Sequence, residues 1–139
     1  DWILIREEYA SGNSGGTFTS GAWRTRVLNT ESVDTGNHAS VAASQVTLAA
    51  GTYRARATAI GHRCDEHQVR LYNITAGTVI AVGLVNDAGA VDVGNVSEVT
   101  ARFTLAGATV IELQHRCTTS RVTDGFGVSG GPPGPPTPP

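Results

Sequence analysis

A period of two runs through the middle of this chain, and few backbone conformations accommodate it. Between residues 52 and 60, Tyr53, Ala55, Ala57 and Ala59 alternate with Thr52, Arg54, Arg56 and Thr58. Residues 96–105 repeat the pattern, with Val99, Ala101, Phe103 and Leu105 set against Thr100, Arg102 and Thr104. In residues 108–116, Thr109, Ile111, Leu113 and His115 share one parity, while Val110, Glu112, Gln114 and Arg116 share the other. Successive side chains of a β-strand point to opposite faces, so each segment has one face for a core and one for solvent. The inward set of residues 52–60 is small, which calls for a bulky partner such as Trp23 or Phe103. No stretch of useful length has helical periodicity.

The remaining segments fit the same scheme. Residues 2–8 read as a first strand. Residues 23–28 place Trp23, Thr25 and Val27 on one face and Arg24 and Arg26 on a wet one. Residues 29–40 are polar and read as a loop. Residues 44–48 lead into an Ala49-Ala50-Gly51 turn, and residues 68–73 form a strand turned by residues 73–77. Residues 78–85 are apolar on both faces, which predicts a central strand or one covered by a neighbouring subunit. Residues 86–95 read as a loop. About eight strands with frequent turns predict an all-β fold, an antiparallel jelly-roll sandwich. Tyr53, Ala55, Ala57, Val69, Leu71, Ala101, Phe103, Ile111 and Leu113 are expected in one core.

The low charged fraction of 16% and the 17 glycines suit short strands and turns better than helices. A chain of 139 residues holds one ordinary domain, expected over residues 1–128. Residues 129–139 are expected to be a Gly/Pro-rich tail, either a polyproline II linker or a collagen-like stub with two Gly-Pro-Pro triplets. Proline lacks the N–H that a central strand must donate, so the final strand of the sandwich is expected to be missing. With no methionine, residue 1 is expected to belong to a mature product or a fragment.

The net charge of −2 argues against a nucleic-acid partner, and no apolar run is long enough for membrane insertion. All ten basic residues are arginine, which suits a GC-rich genome. Asp65, Glu66 and His67, or Glu112 and His115, offer acid–base groups, but no nucleophile elbow or phosphate loop accompanies them, and no enzyme is expected. His62, Cys64, His67, His115 and Cys117 are metal-ligand types without a zinc-motif spacing, so neither metal nor cofactor is expected. Asn73-Ile-Thr75 and Asn95-Val-Ser97 match the glycosylation sequon. Cys64 and Cys117 sit in twin His-Arg-Cys tripeptides. They are either a disulfide, which in the chain-entropy model would stabilise by roughly 4 kcal/mol, or two buried thiols.

Several stretches together resemble the jelly-roll domain of phage tail fibres and prophage virion proteins, within the complement globular-head and tumour-necrosis-factor-like superfamily. They are Gly15-Gly-Thr-Phe-Thr19, Gly21-Ala-Trp-Arg24, Leu28-Asn-Thr30, Leu48-Ala-Ala-Gly-Thr-Tyr53, His67-Gln-Val-Arg-Leu-Tyr-Asn73, Glu112-Leu-Gln-His-Arg-Cys117 and Gly125-Phe-Gly127, colinear over about 120 residues. The resemblance implies a ten-strand jelly roll, usually a homotrimer, on a virion or cell-surface appendage in the extracellular space. It also places Cys64 and Cys117 within bridging reach. Two departures stand out. The family's final strand, beside its first, is replaced by proline-rich sequence, and the collagen-like segment follows the head instead of preceding it.

Two functions follow as expectations. One is a fibre knob binding a host-surface glycan or protein through Trp23, Arg24, Arg26, Tyr72 and Arg121, residue types that stack on sugars and donate paired hydrogen bonds. The alternative is a structural subunit of a filament assembled by strand exchange between copies. In either case self-association is expected through Trp2, Ile3, Leu4, Ile5, Val79, Ile80, Val82 and Leu84.

Overall fold

The computed structural model describes residues 1–129, so the expected tail lies outside the described residues from position 130 onward. The described residues form eleven strands and no helix. These are β1 (Ile3–Arg6), β2 (Arg24–Thr25), β3 (Thr30–Asp34), β4 (Ala39–Ala42), β5 (Gln45–Leu48), β6 (Gly51–His62), β7 (Glu66–Asn73), β8 (Thr78–Val82), β9 (Asn86–Asp87), β10 (Gly94–Leu105) and β11 (Thr109–Cys117). Every pairing is antiparallel. The largest sheet runs β4-β5-β11-β7-β8, with β2 added to β11 and β9 to β7. Two ribbons stand apart from it: β6 pairs with β10 over twelve residues, and β1 pairs with β3.

The alternation read from the sequence places the core between layers. Leu48, Val69, Leu71, Ile111 and Leu113 of the large sheet meet Ala59, Val99 and Leu105 of the β6–β10 ribbon. Tyr53, Ala55, Ala57, Ala101 and Phe103 pack against this cluster, so all nine residues expected in one core are found there. Fully burying such a side chain contributes about 1.5–3 kcal/mol, which gives the interlayer contact its weight. Phe103 stands directly across from Tyr53, their rings stacked at 5.7 Å. These two aromatics fill space left by the alanines; Trp23 lies on the other side of the large sheet, with Arg70 of β7 and Arg116 of β11 over its ring.

The structure sharpens two local readings and corrects a third. The Ala49-Ala50-Gly51 turn lies between strands of different sheets: β5 pairs with β4 and β11, and β6 with β10. The turn carries the chain from one layer to the other, and Tyr53 Oη donates to Ala49 O at 2.7 Å to hold it. Residues 29–40 are not a loop, because Thr30–Asp34 pairs with β1 in a ribbon exposed enough that a polar strand suffices. Of the two readings of residues 78–85, the central strand is excluded, because β8 is the edge of the large sheet and ends at Val82.

Candidate functional site

Beyond the apolar core the chain builds three features: a buried polar cluster, an ordered cationic face and an open sheet edge. The cluster gathers Phe18, Cys64, Ala88 and Cys117, with Phe126 packed on it. Phe18 stacks on Phe126 at 4.2 Å and lies 4.6 Å from the His115 ring. Gly-Phe-Gly is needed here because a Cβ on Gly125 would stand 2.6 Å from the Phe18 Cβ. Gly61 serves His67 in the same way, since its missing Cβ would meet that ring at 2.7 Å.

A relay of hydrogen bonds crosses the cluster. His67 Nε2 meets Asn95 Oδ1 at 2.6 Å, and His67 Nδ1 meets His115 Nε2 at 2.8 Å. The amide oxygen only accepts, so His67 carries its proton on Nε2 and receives one from His115 Nε2. His115 Nδ1 is then an unprotonated lone pair, buried and without a partner. Burial pushes the His115 pKa down to about 2, helped by Arg26 and His67, and burial also lowers His67. Asn95 is thus committed to structure, whatever its sequon suggests.

Arg26 closes this end of the molecule. It is only 5% exposed, pairs with Glu7 at 2.8 Å, donates to Phe126 O and Ile60 O, and lies 4.4 Å from the Phe126 ring centroid. Burial lowers its pKa, against the raising effect of Glu7. The sequence reading assigned Arg24 and Arg26 to the wet face; the structure reverses the faces. Thr25 reaches Glu112 on the outer side of β11, while Arg26 turns inward.

Cys64 and Cys117 are free thiols buried in the same cluster. Burial pushes Cys64 up to about 12 and Cys117 up to about 11, and each thiol bears on the other's titration. The twin tripeptides are not twins in conformation. His115-Arg-Cys117 continues β11, whereas Arg63 takes a φ of 50° just past the end of β6. Among the described residues no three His, Cys, Asp or Glu side chains converge to hold a metal ion.

The second feature lies on the outer face of β7 and β11. Arg70 sits between Trp23 and Tyr72, its guanidinium carbon 4.3 Å and 4.7 Å from the two ring centroids. Arg116 reaches the same indole at 5.3 Å. Of the five expected ligand contacts, Trp23 and Tyr72 are therefore brought together. Arg24 is turned back onto Thr19 O and Ser20 O, and Arg121 is paired with Asp124 at 2.7 Å. Arg26 is buried, as described. Arg70 and Arg116 were missed because they read as ordinary outward residues; their register opposite Gln114 and Gln68 was the signal available.

The third feature is the free edge of β6. His62 N donates outward to Gly125 O, and Ile60 O accepts outward from Arg26. Antiparallel pairing alternates, and the β6–β10 register has no bulge, so the N–H and C=O groups of Thr52, Arg54, Arg56 and Thr58 also point away from β10. None of their amides has a partner among the described residues. Among the described residues β1 likewise pairs on one side only. Of the expected interface residues, Trp2, Leu4, Val79, Val82 and Leu84 are exposed, Leu84 at 71%, while Ile3, Ile5 and Ile80 are half-buried.

No family model, curated protein or solved structure matches this chain.

Proposed function

We propose that this chain is an extracellular fibre or virion-surface module, a jelly roll completed by a strand from another copy of itself. The observation that carries the reading is the free edge of β6. Among the described residues its outward amides at Thr52, Arg54, Arg56 and Thr58 are unpaired, yet its inner side chains Tyr53, Ala55 and Ala57 already pack on the core. An added strand would gain main-chain hydrogen bonds and cover half-buried apolar groups at once. An unpaired edge of this length invites association unless something blocks it.

The neighbouring residues support a strand from outside. The chain reaches this edge at Gly125, which bonds His62, but residues 132–139 contain six prolines that cannot donate to a ladder. The donor we assign is the N-terminal segment of a second copy, residues 2–5, where Trp2 is 63% exposed and Leu4 also faces outward. Colinear resemblance to trimeric virion jelly rolls favours a homotrimer, with a filament as the alternative closure.

Sedimentation of the full chain tests this. Assembly is expected for the native sequence, and loss of assembly for Thr58→Pro. That substitution removes one outward N–H without touching the β6–β10 ladder. A folded monomer at all concentrations contradicts the proposal. Deleting residues 1–8 tests the donor: undiminished assembly would show that the strand comes from elsewhere.

A further inference from the structure

The outer face of β7 and β11 holds two arginines that are positioned but not neutralised. Arg70 Nε donates to Gln114 Oε1 at 2.8 Å, and Arg116 donates twice to Gln68 Oε1, at 3.1 and 2.8 Å. Each glutamine is anchored in turn. Gln68 Nε2 donates to Gly83 O at 2.9 Å, and Gln114 Nε2 donates to Glu112 Oε2 at 2.8 Å. The guanidiniums are thus oriented by neutral amides, and neither forms an ion pair among the described residues.

The nearby acids are engaged elsewhere. Glu112 accepts from Gln114, Gln45 and Thr25, and these bonds outweigh the burial that would raise its pKa. Glu66 lines the same small cleft as Arg116, but its carboxylate accepts from Thr118. Arg70 Nη1 and Nη2 and Arg116 Nη1 have no acceptor among the described residues. Two guanidiniums are thus held at one indole with no carboxylate in ion-pair contact among the described residues, and the cost of ordering them is already met by the fold.

We infer that this face binds the acidic group, uronate carboxylate or sulfate, of a glycan, with Arg70 and Arg116 as the anion contacts and Trp23 and Tyr72 as flanking walls. An oxyanion matches the open edge of a guanidinium fork. A glycan fits better than a peptide. β7 and β11 are interior strands, each paired on both sides, so no backbone is free for strand addition and recognition must come from side chains alone. The chain's net charge of −2 disfavours a long polyanion such as a nucleic acid.

The chain has two tryptophans, so the Trp2→Phe form lets Trp23 report alone. The probes are a tetrasaccharide alternating glucuronate and N-acetylglucosamine, its sulfated analogue, its carboxyl-reduced neutral counterpart, and a glutamate-rich peptide. Saturable change in Trp23 emission is expected with the uronate or the sulfated probe, whichever source of the anion the site prefers. It should weaken with salt and be absent with the neutral sugar. Arg70→Gln is expected to lower affinity by about tenfold or more, Arg116→Gln by less, each in a variant that still shows a cooperative melting transition. If Arg70→Gln unfolds, the neutral and uronate sugars still decide the matter in the unaltered protein. Equal binding of the neutral sugar, binding of the peptide alone, no saturation by either acidic sugar, or full affinity in a folded Arg70→Gln would each overturn the inference.

Discussion

The two interiors of this molecule are built by different rules. The core between the layers consists of alternating aliphatic residues from long strands, Val69, Leu71, Val99, Ile111 and Leu113 among them. The cluster at the end consists of Phe18, Phe126 and two thiols, joined to a histidine relay and a buried arginine, much of it supplied by loops and turns. The first kind of interior loses stability in proportion to the apolar volume removed, whatever the direction of approach. The second depends on particular partners: Arg26 serves Glu7, Ile60 and Phe126 together, so removing it strands several groups at once.

The largest expected effect follows from that difference. Arg26→Ala leaves Glu7, whose Oε1 is already buried without a hydrogen bond, facing the cluster without its cation. A loss of about 3–5 kcal/mol in urea unfolding is expected. The double change Arg26→Met, Glu7→Gln should recover a substantial part of it. If the double variant is no better than the single one, the cluster depends on the hydrogen bonds Arg26 donates to Ile60 O and Phe126 O, and not on its packing or its pairing with Glu7.

In the aliphatic core, Leu113→Ala is expected to cost about 2–5 kcal/mol, and Leu113→Met under about 1.5 kcal/mol, because the volume is nearly kept. A graded response of this kind, next to an all-or-nothing response at Arg26, would sharpen the contrast. Equal responses at the two sites would erase it.

Acid provides a third, smaller separation. His115 and His67 have depressed pKa values in the fold, and an unfolded histidine titrates near 6.5. The unfolded chain therefore binds more protons below that value. The histidine contribution to stability should be flat above it and should fall as pH drops through the window from about 6.5 toward the folded pKa, by at most about 1.4 kcal/mol per pH unit for each histidine. His115→Gln should flatten part of the slope, and an unchanged slope would place the acid sensitivity elsewhere. Near neutral pH the thiols give the least effect on stability but a clear chemical one. With Cys64 raised to about 12 and Cys117 to about 11, alkylation of the reduced native protein near neutral pH should be slow and should become rapid on unfolding. Fast modification of the native form would show that the cluster opens readily. Mass measurement of freshly isolated, unfolded material without reductant is expected to show two free thiols; none would mean that the two sulfurs are bridged.

The contrast also explains what was legible in the sequence. Period-two segments identified the aliphatic core residue by residue, because alternation maps directly onto the faces of a strand. The end cluster did not announce itself. Phe18 is held by a single isolated bridge to Arg121, and Phe126 lies in a turn between two glycines, so neither belongs to a periodic run. Arg26 was misplaced because arginine reads as a solvent residue, and its partners, 19 and 100 positions away, are invisible locally. β3 was missed because Thr30–Asp34 is polar on a ribbon that buries little. On the outer face, Trp23 and Tyr72 were expected as ligand contacts from residue type alone, and the two arginines that meet them depend on the β7–β11 register, which only the fold supplies.

The open edge of β6 is the claim on which the proposed function rests, and residue-resolved hydrogen exchange tests it most directly. The inward amides of Tyr53, Ala55 and Ala57 bond to β10 in any state, while those of Arg54, Arg56 and Thr58 depend on an added strand. Protection of both sets at high protein concentration is expected, with the Arg54, Arg56 and Thr58 amides losing theirs selectively on dilution. Fast exchange of these three amides at every concentration, beside protected neighbours, would mean that no second copy completes the sheet.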